Sequence, residues 1–108
     1  MAFLPCPYLH GRVELTDEQE QHIAEQHPDL LPDNRQCVID TLADPDQVCR
    51  SVRLANARLF SRWFPALRGG KHVVVVVVSE SGPQERHWIV TSYIARKLSK
   101  GVLEWKRS

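Results

Sequence analysis

The side chains of this sequence that are most able to carry out chemistry fall in two short stretches. Residues 22–27 hold two imidazoles five positions apart, and residues 87–95 hold hydroxyl and phenol groups on alternate positions. Imidazole titrates near neutral pH and can accept or donate a proton. A phenol can donate a proton or orient a phosphate, and a threonine hydroxyl can position it. His27, Thr91 and Tyr93 are therefore candidate functional residues.

Basic residues on the preceding strands supply the charge that a phosphate needs. Arg58 and Arg62 lie four positions apart on one side of a strand, and Arg50 alternates with valines on the strand before. Two guanidinium groups on one face of a sheet suit bidentate phosphate binding. We predict as substrate-binding residues Arg50, Arg58, His22 and Lys97, and we expect either Arg62 or Arg58 to join the Tyr93 face. We expect His27, Tyr93 and at least one guanidinium to share a hollow open to solvent.

Alternation along residues 87–95 predicts which side chains accompany Tyr93. It places His87, Ile89 and Thr91 on the Tyr93 face, and on the other face Trp88, Val90, Ser92 and Ile94. The second set is mostly apolar, so we expect it to pack under the helices.

The spacing of possible metal ligands argues against a metal site. His22 and His27 are separated by about 140° around a helix, unlike a zinc-binding pair spaced four residues apart. The cysteines are odd in number, widely spaced and without a C-x-x-C pair: Cys6, Cys37 and Cys49. We expect them to be reduced packing residues, and we predict no metal and no cofactor.

The elements that position these residues follow from capping and periodicity. Thr16 and Gln19 form a capping box, which predicts a helix that ends before Pro28. Asp33 and Gln36 repeat the spacing and predict a second helix over 34–43. Strands are predicted over 11–15, 47–53, 58–64, 72–79 and 86–95, with a short one at 103–106. Six consecutive valines, Val73 to Val78, predict the central strand, and its second face needs a cover from Phe3, Tyr8, Trp105 or a second subunit.

Together these elements predict an α+β fold, in which two N-terminal helices pack on a curved antiparallel sheet of four to five strands. The length of 108 residues predicts one domain, residues 1–108, with its core at about 11–105. The longest apolar run is the six valines, far short of the roughly 20 residues that span a bilayer. The opening residues lack the features of a secretory signal, so we expect a cytoplasmic protein with no membrane partner.

The net charge of +1 conceals an unequal distribution. Residues 1–49 carry two basic and ten acidic side chains, whereas residues 50–108 carry twelve basic and three acidic ones. The basic half indicates either a surface for polyanions or a partner for the acidic half inside the same domain.

Several motifs, taken in order, resemble one known group of proteins. They are His-Ile-Ala-Glu-Gln-His-Pro-Asp at 22–29, Asp-Pro-Asp-Gln-Val at 44–48, the valine strand, and Val-Thr-Ser-Tyr at 90–93. The chain resembles, over about residues 11–105, the phage-associated branch of the barnase, EndoU, colicin and RelE-like ribonucleases. Its His-Pro-Asp and Thr-Ser-Tyr strings stand where that group has elements like His-Pro-Glu and Thr-Ala-Tyr. The resemblance implies a metal-independent nuclease with the catalytic residues His27, Thr91 and Tyr93, which match motif positions, and Arg62, which matches a generally basic position.

The predicted function is therefore an endoribonuclease or ribonuclease-like toxin that cleaves RNA through its own 2′-hydroxyl. Expected partners are RNA, including tRNA or ribosome-associated RNA, a cognate inhibitor protein, and a second copy in a homodimer. The alternative is a non-catalytic module that uses the basic sheet face to bind nucleic acid or an acidic partner. A scaffold domain, whose charge split merely joins helices to sheet, is a third interpretation.

Overall fold

The computed structural model describes residues 1–98 and 101–108, which form seven strands and two α-helices. In chain order the elements are β1 (Ala2–Cys6), a 3₁₀ turn (Pro7–Leu9), β2 (Gly11–Leu15), α1 (Asp17–Gln26), α2 (Arg35–Ala43), β3 (Gln47–Arg50), β4 (Ala57–Phe64), β5 (Lys71–Glu80), β6 (Arg86–Ala95) and β7 (Val102–Lys106). No helix of the described residues is long and apolar enough to cross a membrane.

All seven strands form one mixed sheet in the order β1-β2-β6-β5-β4-β3-β7. Neighbours are antiparallel except β2 and β6, which run parallel and pair only at Glu14 and Trp88. The prediction of four to five antiparallel strands after N-terminal helices is wrong, because β1 and β2 precede the helices and join the sheet. Pro5 hides β1 from a sequence pattern, yet an edge strand tolerates proline.

The helices begin and end where local chemistry dictates. The Thr16 hydroxyl accepts a hydrogen bond from the Gln19 backbone N–H at 3.1 Å, as the capping box predicts. At the other end of α1, the His27 N–H donates to the Ile23 carbonyl just before Pro28. The predicted second capping box does not form. Instead Asn34 precedes α2, and its side-chain amide donates to the Asp29 carbonyl at 2.9 Å.

The core lies between the helices and one side of the sheet, which we call the helix face. Fully buried side chains of β5 on this face pack with apolar residues of both helices and of β4: Val73, Val75, Val77, Ile23, Val38, Leu42 and Phe60. The other side of the sheet is covered by no helix of the described residues, and we call it the open face.

The valine run does form the central strand, and its open face has a cover that the sequence did not reveal. Leu98, three residues after the end of β6, lies against the open face with Val74, Cys49 and Ser61. Tyr8 and Trp105, predicted as possible covers, instead contact each other as tilted rings with centroids 5.9 Å apart, and Tyr8 contacts Phe60 of the helix face.

A β-bulge in β6 changes which side chains share a face. Val76 pairs with Thr91 but Val77 pairs with Ile89, so Val90 is the extra residue. Thr91 and Tyr93 therefore share the open face with Trp88, while the helix face holds His87, Ile89, Ser92 and Ile94. Strict alternation had placed His87 and Ile89 with Tyr93, which is wrong for this reason.

Candidate functional site

The structure brings two of the predicted catalytic side chains together at the outer edge of β6. The ring of His27, at the end of α1, lies 6.1 Å from the ring of Tyr93, centroid to centroid. Thr91 and His22 line a shallow cleft between α1 and this edge. The Gln19 side-chain amide donates a hydrogen bond to the carbonyl of Val90 here.

Arg62 does not join this group. It pairs across the strands with Val73, whereas Tyr93 pairs with Val74, and adjacent residues of β5 point to opposite faces. The Arg62 guanidinium lies 3.6 Å from the Asp44 carboxylate and over the ring of Phe64. Lys97 is exposed just beyond the end of β6. Among the described residues, neither His27 nor Tyr93 has a hydrogen bond to a guanidinium.

Much of the basic half of the sequence is bound to the acidic half. Carboxylates of the first half form ion pairs with guanidinium groups of the second half, in the pairs Glu14–Arg86, Asp29–Arg68, Asp44–Arg62 and Asp44–Arg107. The charge split thus serves in part to join segments within one domain. The basic groups that remain for a ligand are fewer than the sequence count indicates.

Arg50 and Arg58 meet at the other end of the sheet. They are direct cross-strand partners on β3 and β4, and like charges in that position repel each other. Glu104 of β7 lies between them, and its two oxygens accept from Arg50 Nε and Arg58 Nε, each at 2.8 Å. The Tyr8 hydroxyl also donates to Glu104, at 2.7 Å. We call these four residues the arginine fork.

Hydrogen bonds dominate the electrostatics of the fork. Burial alone would raise the pKa of Glu104, but donors on Tyr8, Arg58 and Arg50 lower it to about 2. Burial, reinforced by the hydrogen bond to Glu104, raises the pKa of Tyr8 to about 12. The carboxylate and the neutral phenol are therefore both maintained across the whole physiological pH range.

The fork leaves guanidinium nitrogens available for a ligand. Each arginine contacts Glu104 through Nε, and within residues 1–98 and 101–108 the terminal nitrogens of both have no hydrogen-bond partner. The Arg50 side chain is 65% exposed and that of Arg58 is 25% exposed. Because one carboxylate fixes both groups, their terminal nitrogens are oriented before any anion arrives.

The fork borders a cleft of about 590 Å³ at this end of the sheet. The loops 51–56 and 81–85 form its walls, and His10, Ser79 and His87 also line it. The Ser79 hydroxyl and His87 Nδ1 are 2.6 Å apart, which fixes the orientation of this imidazole. Glu80 and Glu85 line the cleft as exposed carboxylates, so it carries both signs of charge. In the described part of the chain, no three His, Cys, Asp or Glu side chains form a group that would hold a metal ion.

No protein-family model, no curated protein and no solved structure matches this chain.

Sequence reasoning had identified Arg50 and Arg58 but missed the other members of this site. Tyr8 lies in the segment before the predicted core, and Glu104 lies on a strand whose place in the sheet is not readable from periodicity. The signal for Glu104 was its isolation, because it is one of only three acidic residues after residue 49. The bulge at Val90 changes the face on which His87 lies, so the sequence did not predict His87 at this site.

Proposed function

We propose that the protein is a metal-independent endoribonuclease whose phosphate-binding site is the arginine fork. The observation that carries this proposal is the pair of guanidinium groups held by Glu104 at the edge of a cleft that also contains two imidazoles. Fixed cations, together with groups that can accept and donate a proton, are what RNA cleavage by the 2′-hydroxyl requires. The motif resemblance to ribonucleases points to the same chemistry.

The reaction follows from the groups in the cleft. The terminal nitrogens of Arg50 and Arg58 bind the non-bridging oxygens of a phosphodiester and stabilise the charge that grows on them. A base removes the proton of the 2′-hydroxyl, the O2′–P bond forms and the P–O5′ bond breaks. An acid protonates the departing O5′, and the products are a 2′,3′-cyclic phosphate and a free 5′-hydroxyl. His10 and His87 supply the proton acceptor and the proton donor.

Cleavage of single-stranded and structured RNA in excess EDTA tests this proposal, with detection of cyclic phosphate ends. Arg58→Lys keeps the positive charge but removes the planar guanidinium group, which can bind a phosphate through two nitrogens. His87→Asn keeps an acceptor for Ser79, and His10→Asn suits the left-handed backbone at that position. We expect each histidine variant to lose roughly 100-fold or more in rate. Arg107→Gln, which removes an arginine bound to Asp44 far from the cleft, should cleave normally.

The His27–Tyr93 pair is the competing position for the reaction. His27→Ala and Tyr93→Phe, assayed beside the fork variants, separate the two sites. If these two variants lose activity while their melting transitions are unchanged and the fork variants cleave normally, the reaction takes place at the edge of β6. Absence of cleavage of any RNA by the unaltered protein would refute catalysis.

A non-catalytic binding module is the second candidate function, because the fork by itself suffices to bind a phosphate. Affinity for RNA that falls steeply with salt, without strand scission, would support that function. A cognate inhibitor, if one exists, should carry carboxylates that occupy the fork and protect RNA in the cleavage assay.

A further inference from the structure

The open face carries four aromatic side chains, each beside a cationic or imidazole group. The guanidinium carbon of Arg12 lies 5.1 Å from the ring centroid of Phe3, and that of Arg86 lies 5.2 Å from the ring centroid of Trp88. The ring centroids are 4.8 Å apart in the pair Trp63–His72 and 6.1 Å apart in the pair His27–Tyr93.

Strand register places these aromatic rings on the same side of the sheet. Phe3 pairs with Glu14, and Glu14 pairs with Trp88. The even-numbered residues of β5 point to the open face, and so do their cross-strand partners. Trp63 pairs with His72, Tyr93 pairs with Val74, and Trp88 pairs with Val78. The four rings therefore lie on the same face of the sheet, on β1, β6 and β4.

The exposure of these rings is unusual for aromatic side chains. Phe3 is 50% exposed and Trp63 is 43% exposed, while Trp88 and Tyr93 are half-buried. Groups of exposed large apolar side chains mark binding surfaces. Both helices pack on the opposite face, so no helix lies over Phe3, Trp63 or Trp88, while Tyr93 lies beside His27 at the end of α1. Gly70 packs against Trp63, and Leu98 lies between the Trp63 and Tyr93 regions.

Charge favours a nucleic acid as the occupant of this surface. The carboxylates beside the rings are paired with guanidinium groups, Glu14 with Arg86 at 2.8 Å, and Asp46, which accepts the Trp63 backbone N–H, with Arg107 at 3.8 Å. Among the described residues Arg12, over the ring of Phe3, has no ion-pair partner. The acidic first turn of α1, with Asp17, Glu18 and Glu20, belongs to the helix layer. Aromatic rings with adjacent guanidinium groups bind unpaired bases by stacking and the backbone by charge.

We infer that single-stranded RNA binds across the open face, with unpaired bases stacked on Trp63 and Trp88 and on the flanking rings of Phe3 and Tyr93. This inference rests on the proposed function in taking RNA as the ligand. It adds that the substrate is bound as a single strand, on the side of the sheet opposite the helices. Duplex RNA does not present its base faces and should bind weakly there.

Quenching of tryptophan fluorescence provides the test. The probe is a single-stranded DNA oligomer of about ten nucleotides, which stacks like RNA but lacks the 2′-hydroxyl and cannot be cleaved, compared with the same sequence as a duplex. We expect the single strand to quench and the duplex not to. Trp63→Leu and Trp88→Leu should each weaken binding roughly five- to 150-fold. Trp105→Phe, on the helix face, is the matched control and should retain the affinity.

The variants must be folded for this comparison, so each is checked by its melting transition. Phe3→Ala is the second variant in case the tryptophan variants unfold, because half of its side chain is already exposed. Equal affinity of all variants, or equal affinity for duplex, would overturn the inference even if the protein cleaves RNA. Conversely, aromatic-dependent binding of single strands without cleavage would leave the inference intact and refute the proposed nuclease.

Discussion

Arg50 and Arg58 illustrate how single residues decide this site. Each alone would be an ordinary basic residue of a strand, and as direct cross-strand partners they would repel each other. Glu104 converts the repulsion into a fixed arrangement, and its side chain is only 18% exposed. Glu104 is one of the few acidic residues in the basic half of the sequence. It holds together the two guanidinium groups on which the proposed chemistry depends.

Glu104→Gln should lower the free energy of unfolding by about 2 kcal/mol at pH 7, because the carboxylate that two arginines share is lost. The folded pKa of Glu104 is about 2, below the ordinary value of 4.5, so its stabilisation is present above pH 4.5 and fades as the pH falls toward 2. Urea denaturation at pH 7 and pH 3 measures this difference. Glu85→Gln, at the exposed rim, is the control. A wild-type advantage that is unchanged at pH 3 would contradict the assignment.

The titration of Tyr8 provides a second test of the hydrogen bonds in the arginine fork. Its pKa is raised to about 12 from 10, so the stabilisation from its O–H bond is present below pH 10 and is lost as the pH rises toward 12. The chain has two tyrosines, and ultraviolet titration of phenolate absorbance should show a step near pH 12 in the unaltered protein. Tyr8→Phe should abolish that step. If the step remains, Tyr8 does not donate to Glu104.

At the scale of elements, most local signals were reliable although the second capping box does not form, and distant pairings could not be predicted. The first helix followed from Thr16 and Gln19, and the valine run identified the central strand, because capping and hydrophobic patterning act within a few residues. The strand β2 pairs with β6 across more than 70 positions of sequence at one register point, and no local pattern encodes such a partner. The bulge at Val90 is equally invisible, and it alone reassigned His87 to the helix face.

The turn before β5 supports one ring of the proposed RNA surface. Gly70 has a φ of 103°, and a Cβ built there would lie 2.5 Å from Cζ2 of Trp63. Gly70→Ala should therefore both strain the backbone and displace the indole, at a cost of about 1–3 kcal/mol. Denaturant unfolding measures the cost, and the emission of Trp63 reports the displacement. Gly82→Ala is the control, because its added Cβ meets nothing within 4 Å. Equal stability of both variants would contradict this packing.

At the scale of the whole molecule, the charge split has two uses. Ion pairs such as Glu14–Arg86 and Asp29–Arg68 join the acidic and basic halves of the chain. Fewer guanidinium groups then face solvent unpaired, so the protein should bind nucleic acid with a weaker electrostatic component than its twelve basic residues after position 49 imply.

Salt dependence measures this component. If two to three phosphates are neutralised, the logarithm of the affinity for a single strand should fall against the logarithm of salt concentration with a slope of about −2. Arg50→Gln should make the slope shallower by about 0.7, the value for one phosphate contact on a single strand. Arg107→Gln, whose guanidinium is bound to Asp44, should leave it unchanged. A much steeper slope, of the size expected if most basic residues after position 49 contacted phosphates, would show that the ion pairs open on binding.

The side-chain amide of Gln19 has a consequence for the behaviour of the protein in concentrated solution. Beyond Trp88, β6 has no neighbour from β2 on its outer side, and it lies directly beside the valine-rich β5. Exposed strands of this kind recruit further strands and grow into aggregates. Because the Gln19 amide donates to the Val90 carbonyl, that carbonyl is not available to accept a hydrogen bond from a strand of another chain. The Gln19 side chain should therefore reduce edge-to-edge aggregation at high protein concentration, a role that its position on a polar helix did not indicate.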